Sequence, residues 1–128
     1  MKRISVAIVD DDPSVRVSLQ RFCVVSDLEA TTYASGREFL DALAAGGARP
    51  DCLLLDTHMP EMTGLELQRH LVARGVRIPT VVVTADDAPD VPAQYFTDGS
   101  TGYLRKPFSG ETLLAAIEKV LRGGSTGA

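Results

Sequence analysis

Short apolar runs alternate along this chain with longer segments in which apolar residues recur at helical spacing. The runs are too short for most helices, and several are rich in β-branched residues, so they indicate strands buried within a parallel sheet. The predicted strands are Ile4–Val9, Leu28–Tyr33, Cys52–Leu55, Ile78–Val83 and Gly102–Arg105.

Each predicted strand is followed by a signal for the start of a helix. Asp12 precedes Pro13, a pairing typical of an N-cap and a first helical residue, and this helix is expected to reach about Val25. Capping boxes mark the start of two further helices, at Ser35 and Thr63. A weaker apolar pattern begins a helix at Val91, and a serine cap begins the last helix at Ser109. Their expected ends include Gly46–Gly47, Gly75 and Asp98. The last helix is expected to face the sheet with Leu113, Leu114, Ile117 and Leu121.

Regular alternation of strand and helix predicts the α/β class, with a doubly wound five-stranded parallel sheet and right-handed crossovers. A chain of 128 residues suits one such domain. We place the domain at residues 1–122, and the glycine-rich residues 123–128 are expected to be a flexible tail or the start of a linker.

Composition narrows the class of protein. The net charge of −4 argues against nucleic-acid binding by this segment itself. The sequence has no apolar stretch long enough to span a membrane, and its amino terminus lacks the pattern of a signal peptide, so we expect a cytoplasmic location and no membrane partner. Cys23 and Cys52 form no metal or redox motif and are interpreted as structural thiols.

Polar residues with complementary chemistry stand where four of the strands end. The ends carry Asp10 with Asp11, then Asp56, Thr84 and Lys106. The carboxyl ends of parallel strands meet at one edge of the sheet, where ligands bind. Converging carboxylates repel one another, and Mg²⁺ prefers such oxygen ligands together with phosphate. A hydroxyl and an ammonium suit phosphate oxygens, so the set predicts phosphoryl transfer to an aspartate.

Each of these residues also has a simpler interpretation. One acid in the run Asp10–Asp12 is expected to cap the first helix, although three acids exceed what a cap needs. Asp56 could be a loop acid, Thr84 a turn residue and Lys106 a solvated surface lysine. The absence of a GxxxxGK[ST] loop argues against a nucleotide as the phosphoryl donor.

Taken together, these motifs resemble the receiver domain of bacterial response regulators. The resemblance rests on Asp10-Asp11, Asp56 followed by Met59-Pro60 and Gly64, Thr84-Ala85 and Lys106-Pro107, and it covers residues 4–122. It implies the flavodoxin-like (βα)5 fold with strand order 2-1-3-4-5. The 28-residue spacing from Asp56 to Thr84 is similar to that of the FixJ-type receivers.

The resemblance also implies a role for each matching residue. Asp56 would be the phosphoacceptor, with Lys106 pairing to the phosphoryl group. Asp11, Asp56 and the backbone carbonyl of His58 would bind Mg²⁺ directly, and Asp10 would assist through water. Thr84 and Tyr103 would form a switch pair, although Tyr103 could equally serve strand packing.

Further expectations concern kinetics and partners. His58 and Asp86, two residues beyond Asp56 and Thr84, are expected to tune the lifetime of the phosphoryl group. Val17 and Val24 lie on the polar side of the first helix, and we interpret them as a docking stripe for the kinase, or as scattered surface residues. The implied partner is a sensor histidine kinase or a phosphotransfer protein, and a second copy of the chain in a phosphorylation-dependent homodimer is the other candidate partner.

Two rival functions are weighed against the phospho-aspartate switch. A constitutive pseudo-receiver would lack an acid, the threonine or the lysine, and none is missing. An aspartate-nucleophile phosphohydrolase would need a second aspartate two residues after the nucleophile, where this chain has His58. Whether the domain acts alone or within a DNA-binding transcription factor is left open by the sequence.

Overall fold

The computed structural model describes residues 3–47, 49–57, 59, 61–84, 101–106 and 108–126. Five parallel strands form one sheet in the order β2-β1-β3-β4-β5, which confirms the predicted order. The strands are β1 (Ser5–Val9), β2 (Glu29–Tyr33), β3 (Cys52–Asp56), β4 (Thr80–Thr84) and β5 (Thr101–Arg105).

Four helices lie within the described residues. They are α1 (Pro13–Val25), α2 (Gly36–Ala44), α3 (Gly64–Ala73) and α4 (Gly110–Thr126). The helix predicted over Val91–Asp98 lies outside the described residues. None of the helices in the described part of the chain is long and apolar enough to cross a membrane.

The helices cover both faces of the sheet, as a doubly wound fold requires. On one face, Leu19 and Cys23 of α1 and Leu113 and Ile117 of α4 pack against alternate residues of the central strands. On the other face, α2 and α3 supply Phe39, Leu40, Leu67 and Leu71. Every residue of β3 is buried between these two layers, in agreement with its unbroken apolar run.

Helix caps follow the sequence signals closely. Asp12 caps α1 with Pro13 in the first turn, and the Thr63–Glu66 capping box of α3 is complete. At α2, Ser35 Oγ accepts from the Glu38 N–H, but the Glu38 carboxylate accepts from the Ala34 N–H instead of the Ser35 N–H. Only one of the two hydrogen bonds of the capping box predicted at Ser35 is therefore formed.

The start of β4 and the inner face of α4 differ from the predictions. Strand β4 begins at Thr80, not Ile78, because Pro79 has no N–H for the ladder; its carbonyl accepts from the Leu53 N–H at 2.8 Å. In α4 the third fully buried residue is Val120, while Leu114 and Leu121 are only partly buried. The helix continues to Thr126, past Gly123, and the domain boundary at residue 122 stays a prediction.

Two features tie α1 to the rest of the core. Cys23 is fully buried, as is Cys52 of β3, and burial raises the pKa of these thiols to about 11 and about 12. Both are therefore neutral at pH 7, which agrees with structural thiols. Phe22, the residue before Cys23 on α1, lies close to the start of α4: a Cβ on Gly110 would lie 2.5 Å from its Cε1, so α4 can begin this close to α1 because residue 110 is glycine.

Candidate functional site

The three acids after β1 divide into two roles. Asp12 Oδ1 accepts from the N–H of Ser14 at 2.9 Å and from its hydroxyl at 2.8 Å. These hydrogen bonds lower the pKa of Asp12, as expected for a carboxylate at a helix N-terminus. Asp12 is thus the capping acid, and Asp10 and Asp11 are left for the sheet edge.

Asp10 is held in place on three sides. Its N–H donates to the Tyr33 carbonyl at 3.2 Å, which extends the β1–β2 ladder by one step. Its Oδ1 accepts from the Asp12 N–H at 2.9 Å, and its carbonyl accepts from Nη1 of Arg16 at 2.7 Å. The residue is 3% exposed, and desolvation by burial raises the pKa of its carboxyl in spite of these contacts.

Asp10, Asp11 and Asp56 form an acidic cluster at the carboxyl end of β1 and β3. One ligand atom from each lies within 4.8 Å of those of the others. Asp10 and Asp56 are buried, whereas Asp11 is exposed. Three carboxylates this close supply the oxygen donors that Mg²⁺ prefers, so the residues present fit this ion.

Thr84 and Lys106 border the cluster from β4 and β5. Thr84 ends β4 and is 1% exposed, and its carbonyl accepts from the Lys106 N–H at 2.8 Å. Nζ of Lys106 lies 4.0 Å from Oδ2 of Asp10. Thr84 and Lys106 therefore lie at the same sheet edge as the three carboxylates, where the sequence predicts them.

Tyr103 lies further from this edge, on β5. It pairs in register with Val82, and Arg105 pairs with Thr84, so alternation along the strands sets Tyr103 and Thr84 on the same face of the sheet. Tyr103 is 51% exposed. The predicted switch pair thus shares one face, with the aromatic residue about half exposed to solvent.

Of the remaining predicted residues, the structure describes two and leaves two outside the described range. His58 and Asp86 lie outside the described residues. Val17 and Val24 are 47% and 63% exposed, in agreement with their expected position on the outer side of α1. Their proposed role as a docking stripe stays a prediction.

Two features of the site were not predicted from the sequence. Arg16 anchors the carbonyl of Asp10 from one turn into α1, a contact that depends on the reach of a long side chain. A groove of about 450 Å³ also opens between α1 and α4 beside Lys106, lined mainly by Val15, Leu19, Phe22, Phe108 and Leu113. The apolar spacing of α1 predicts that Val15, Leu19 and Phe22 face inward but does not reveal that the contact with α4 leaves this space.

A comparison with protein families identifies the chain. The model of the response regulator receiver domain matches residues 6–118. The chain belongs to this family. It is therefore a signalling domain of the kind found in the response regulators of two-component systems.

Individual relatives of this receiver domain agree with that assignment. The chain is 36% identical over 121 residues to the DNA-binding transcriptional regulator NtrC of Escherichia coli (strain K12), covering 94% of the chain and 25% of NtrC. It is 38% identical over 119 residues to the response regulator MprA of Mycolicibacterium vanbaalenii, covering 93% of the chain and 51% of MprA. The receiver domain thus spans about a quarter to a half of these regulators.

Solved structures give the same result for the fold. The crystal structure of FixJ-N superposes with a TM-score of 0.83 at 31% identity, covering 95% of this chain and 96% of that one. The flavodoxin-like receiver fold implied by the sequence motifs is confirmed, as is the similarity to a FixJ receiver.

Proposed function

We propose that this receiver domain is a Mg²⁺-dependent switch that accepts a phosphoryl group on Asp56. The observation that carries the proposal is the convergence of Asp10, Asp11 and Asp56 within 4.8 Å at a sheet edge bordered by Thr84 and Lys106. An isolated structural acid would not need two further carboxylates, a cation and a hydroxyl around it.

The chemistry follows from these groups. A carboxylate oxygen of Asp56 attacks the phosphorus of a phosphohistidine on the partner, the P–N bond breaks, and the released imidazole nitrogen takes up a proton from solvent. Mg²⁺, held by Asp11, Asp56 and the backbone carbonyl of His58 with Asp10 assisting through water, would supply positive charge to the phosphoryl oxygens. Lys106 adds a second positive charge, and Asp10 keeps that ammonium close to the site.

Signalling would follow from the switch pair. Once the phosphoryl group is present, the Thr84 hydroxyl donates to one of its oxygens, and Tyr103 moves inward from its exposed position. The proposal is supported by the burial of Thr84 beside the cluster and by the 51% exposure of Tyr103 on the same face. The charge added at Asp56 would thereby change the exposed surface of the domain around Tyr103.

Partner recognition is proposed to involve α1. Val17 and Val24 form an exposed apolar stripe on this helix, and the groove between α1 and α4 opens beside Lys106. A helix carrying the phosphohistidine could contact both while its imidazole reaches Asp56. In a longer regulator like NtrC or MprA, the phosphorylated surface would control an effector domain, by way of a homodimer or directly.

The lifetime of the phosphoryl group is proposed to depend on His58 and Asp86. Each stands two residues beyond a site residue in the sequence, His58 after Asp56 and Asp86 after Thr84. Exchanging the two residue types should change the decay rate of the phosphoprotein much more than its Mg²⁺ affinity. Equal decay rates in the exchanged variant and the parent would reject this role.

The assignment of Asp56 is tested with a small phosphodonor such as acetyl phosphate and Mg²⁺. The parent should gain one acid-stable, base-labile phosphoryl group, measured by intact-mass spectrometry, and Asp56→Asn should gain none. The matched control is Asp51→Asn, an exposed acid just before the opposite end of β3, which should be phosphorylated like the parent. Phosphorylation of Asp56→Asn at the parental level would disprove the assignment, and an unreactive parent would favour a constitutive interaction module.

A further inference from the structure

Thr57, the residue directly after Asp56, has a hydroxyl whose bonding is incomplete. Its Oγ1 is buried and makes no hydrogen bond within the part of the chain that the structure describes. The hydroxyl of Thr80, by contrast, donates to the Ile78 carbonyl at 2.8 Å. A buried hydroxyl without a partner is unfavourable, and valine would fill nearly the same volume without that cost. A partner in another conformation would account for the hydroxyl.

The register of the sheet identifies the neighbour. Leu55 of β3 pairs with Val82 of β4, and the Thr57 N–H donates to the Val83 carbonyl at 3.3 Å. Side chains alternate along a strand, so Thr57 shares the face of Leu55 and Thr84 shares the face of Val82. Thr57 and Thr84 therefore occupy the next row of the same face, on adjacent strands.

We propose that Thr57 is a positioning residue of the phosphorylation switch, whose hydroxyl donates to Oγ1 of Thr84 when Thr84 turns toward the phosphoryl group. The inference rests on the proposed role of Thr84. A hydroxyl carries one donor and two acceptor lone pairs, so Thr84 can donate to a phosphoryl oxygen while it accepts from Thr57. The second bond forms in the phosphorylated conformation and stabilises it relative to the unphosphorylated one.

The first arm of the test is the stability of the unphosphorylated protein. Thr57→Val removes an unpaired hydroxyl and should leave the melting temperature unchanged or raise it. Thr80→Val is the matched control, a buried threonine of the same sheet whose hydroxyl is paired, and it should lower the melting temperature. Equal destabilisation by both substitutions would mean that the Thr57 hydroxyl already has a partner, and would overturn the inference.

The second arm measures how tightly each variant binds beryllium trifluoride, an analogue of the phosphoryl group, with Mg²⁺ by calorimetry. Thr57→Val should weaken this binding about fivefold, the affinity equivalent of a typical hydrogen bond. Thr57→Ser should restore it. Thr57→Val should have no further effect in the Thr84→Val background, since the bond runs through Thr84.

The remaining outcomes separate this inference from the proposed function. A parent that binds no analogue would disprove the phosphorylation switch itself. Normal binding by the parent with an equal affinity in Thr57→Val would disprove the role of Thr57 alone. An equal loss in both Thr84 backgrounds would show that Thr57 acts independently of Thr84, which also overturns the inference.

Discussion

Nζ of Lys106 lies 4.0 Å from Oδ2 of Asp10, across the sheet edge that Asp56 shares. This distance is at the upper limit for an ion pair. The lysine side chain is 34% exposed and the aspartate side chain 4% exposed. Burial still raises the pKa of Asp10, which means that desolvation outweighs both Lys106 and the hydrogen bond from the Asp12 N–H. The site thus holds a carboxylate that the metal-free fold does not fully compensate.

Replacing this carboxylate should stabilise the metal-free protein. Asp10→Asn removes a buried charge and one source of repulsion in the acidic cluster, while its amide oxygen can still accept from the Asp12 N–H. We expect the melting temperature without Mg²⁺ to rise by about 2–6 °C in thermal unfolding followed by circular dichroism. The exposed Glu118→Gln is the control and should change little. A lower melting temperature in Asp10→Asn would contradict this account.

Mg²⁺ should stabilise the parent through the same cluster. A ligand that binds only the folded state adds about 1.4 kcal/mol at a tenfold excess over its dissociation constant. Thermal unfolding at millimolar Mg²⁺ should show this rise in the parent, and Asp11→Ala should abolish it because Asp11 is one of the two carboxylates proposed to bind the ion directly. Glu118→Ala should keep the full response. An unchanged response in Asp11→Ala would locate the ion elsewhere.

The sequence identifies the sheet edge because its signals are local. A buried apolar run that ends in Asp56 specifies a central strand with an acid at its carboxyl end. Thr84 and Lys106 are located in the same way, at the ends of the runs that form β4 and β5. The capping role is also local, because Pro13 directly after Asp12 marks that acid as the N-cap of α1. The hydrogen bond from the Asp12 N–H to Oδ1 of Asp10 depends on the strand-to-helix turn, which a run of three identical residues does not convey.

Other features depend on how elements meet in space. Leu121 and Val120 are adjacent on α4, and Val120 is the buried one, with its Cγ1 3.0 Å from where a Cβ on Gly102 of β5 would lie. Two polar contacts require the three-dimensional structure: the bond from Arg16 to the Asp10 carbonyl, and the Thr57 hydroxyl, which finds no partner among the described residues. The sequence pattern predicts an element and the face that it buries, but not the hydrogen-bond partner of a particular polar atom.

The close approach of Gly110 to Phe22 predicts an unusual response to alanine. In a helix, glycine to alanine normally gains up to about 1 kcal/mol. Here the new Cβ would lie 2.5 Å from the ring of Phe22, and overpacking of this kind costs about 1–3 kcal/mol. We expect Gly110→Ala to lower the free energy of unfolding in urea.

A second substitution provides the control for this clash. Phe22→Leu shortens the side chain that the new methyl group would meet. In that background, Gly110→Ala should be neutral or stabilising, because only the helix propensity remains. A stabilising Gly110→Ala in the parent would show that the ring moves aside at little cost.

The buried thiols give a measure of opening of the fold. Cys23 and Cys52 have pKa values raised to about 11 and about 12 by burial, above the ordinary value of 9.0. Their contribution to stability is therefore complete below about pH 9 and is lost as the pH rises through 11 and 12. At pH 8 both should react with a thiol reagent orders of magnitude more slowly than in denaturant.

An exposed thiol supplies the reference rate for that labelling. Val24 is 63% exposed on α1, so Val24→Cys should add one thiol that reacts at the rate of a free cysteine. Rapid labelling of Cys23 and Cys52 in the parent, at the rate of this added thiol, would contradict their placement in the core.

The docking stripe on α1 can be tested against a matched position. Val17 and Val24 are 47% and 63% exposed, and Val72 on α3 is 70% exposed but lies on the opposite face of the sheet from α1. Burying the two valines against a partner would add about 1–2 kcal/mol to association. Introducing lysine at both positions should therefore slow transfer from the cognate kinase about tenfold or more below saturation.

Two controls separate docking from chemistry and folding. Phosphorylation of the Val17→Lys, Val24→Lys variant by acetyl phosphate should proceed at the parental rate, since the small donor needs no docking helix. Val72→Lys should leave both reactions unchanged. If kinase transfer is equally fast in the α1 variant, the stripe is an incidental feature of the surface. If both donors fail, the substitutions have disturbed α1 and the Arg16 contact that orients Asp10.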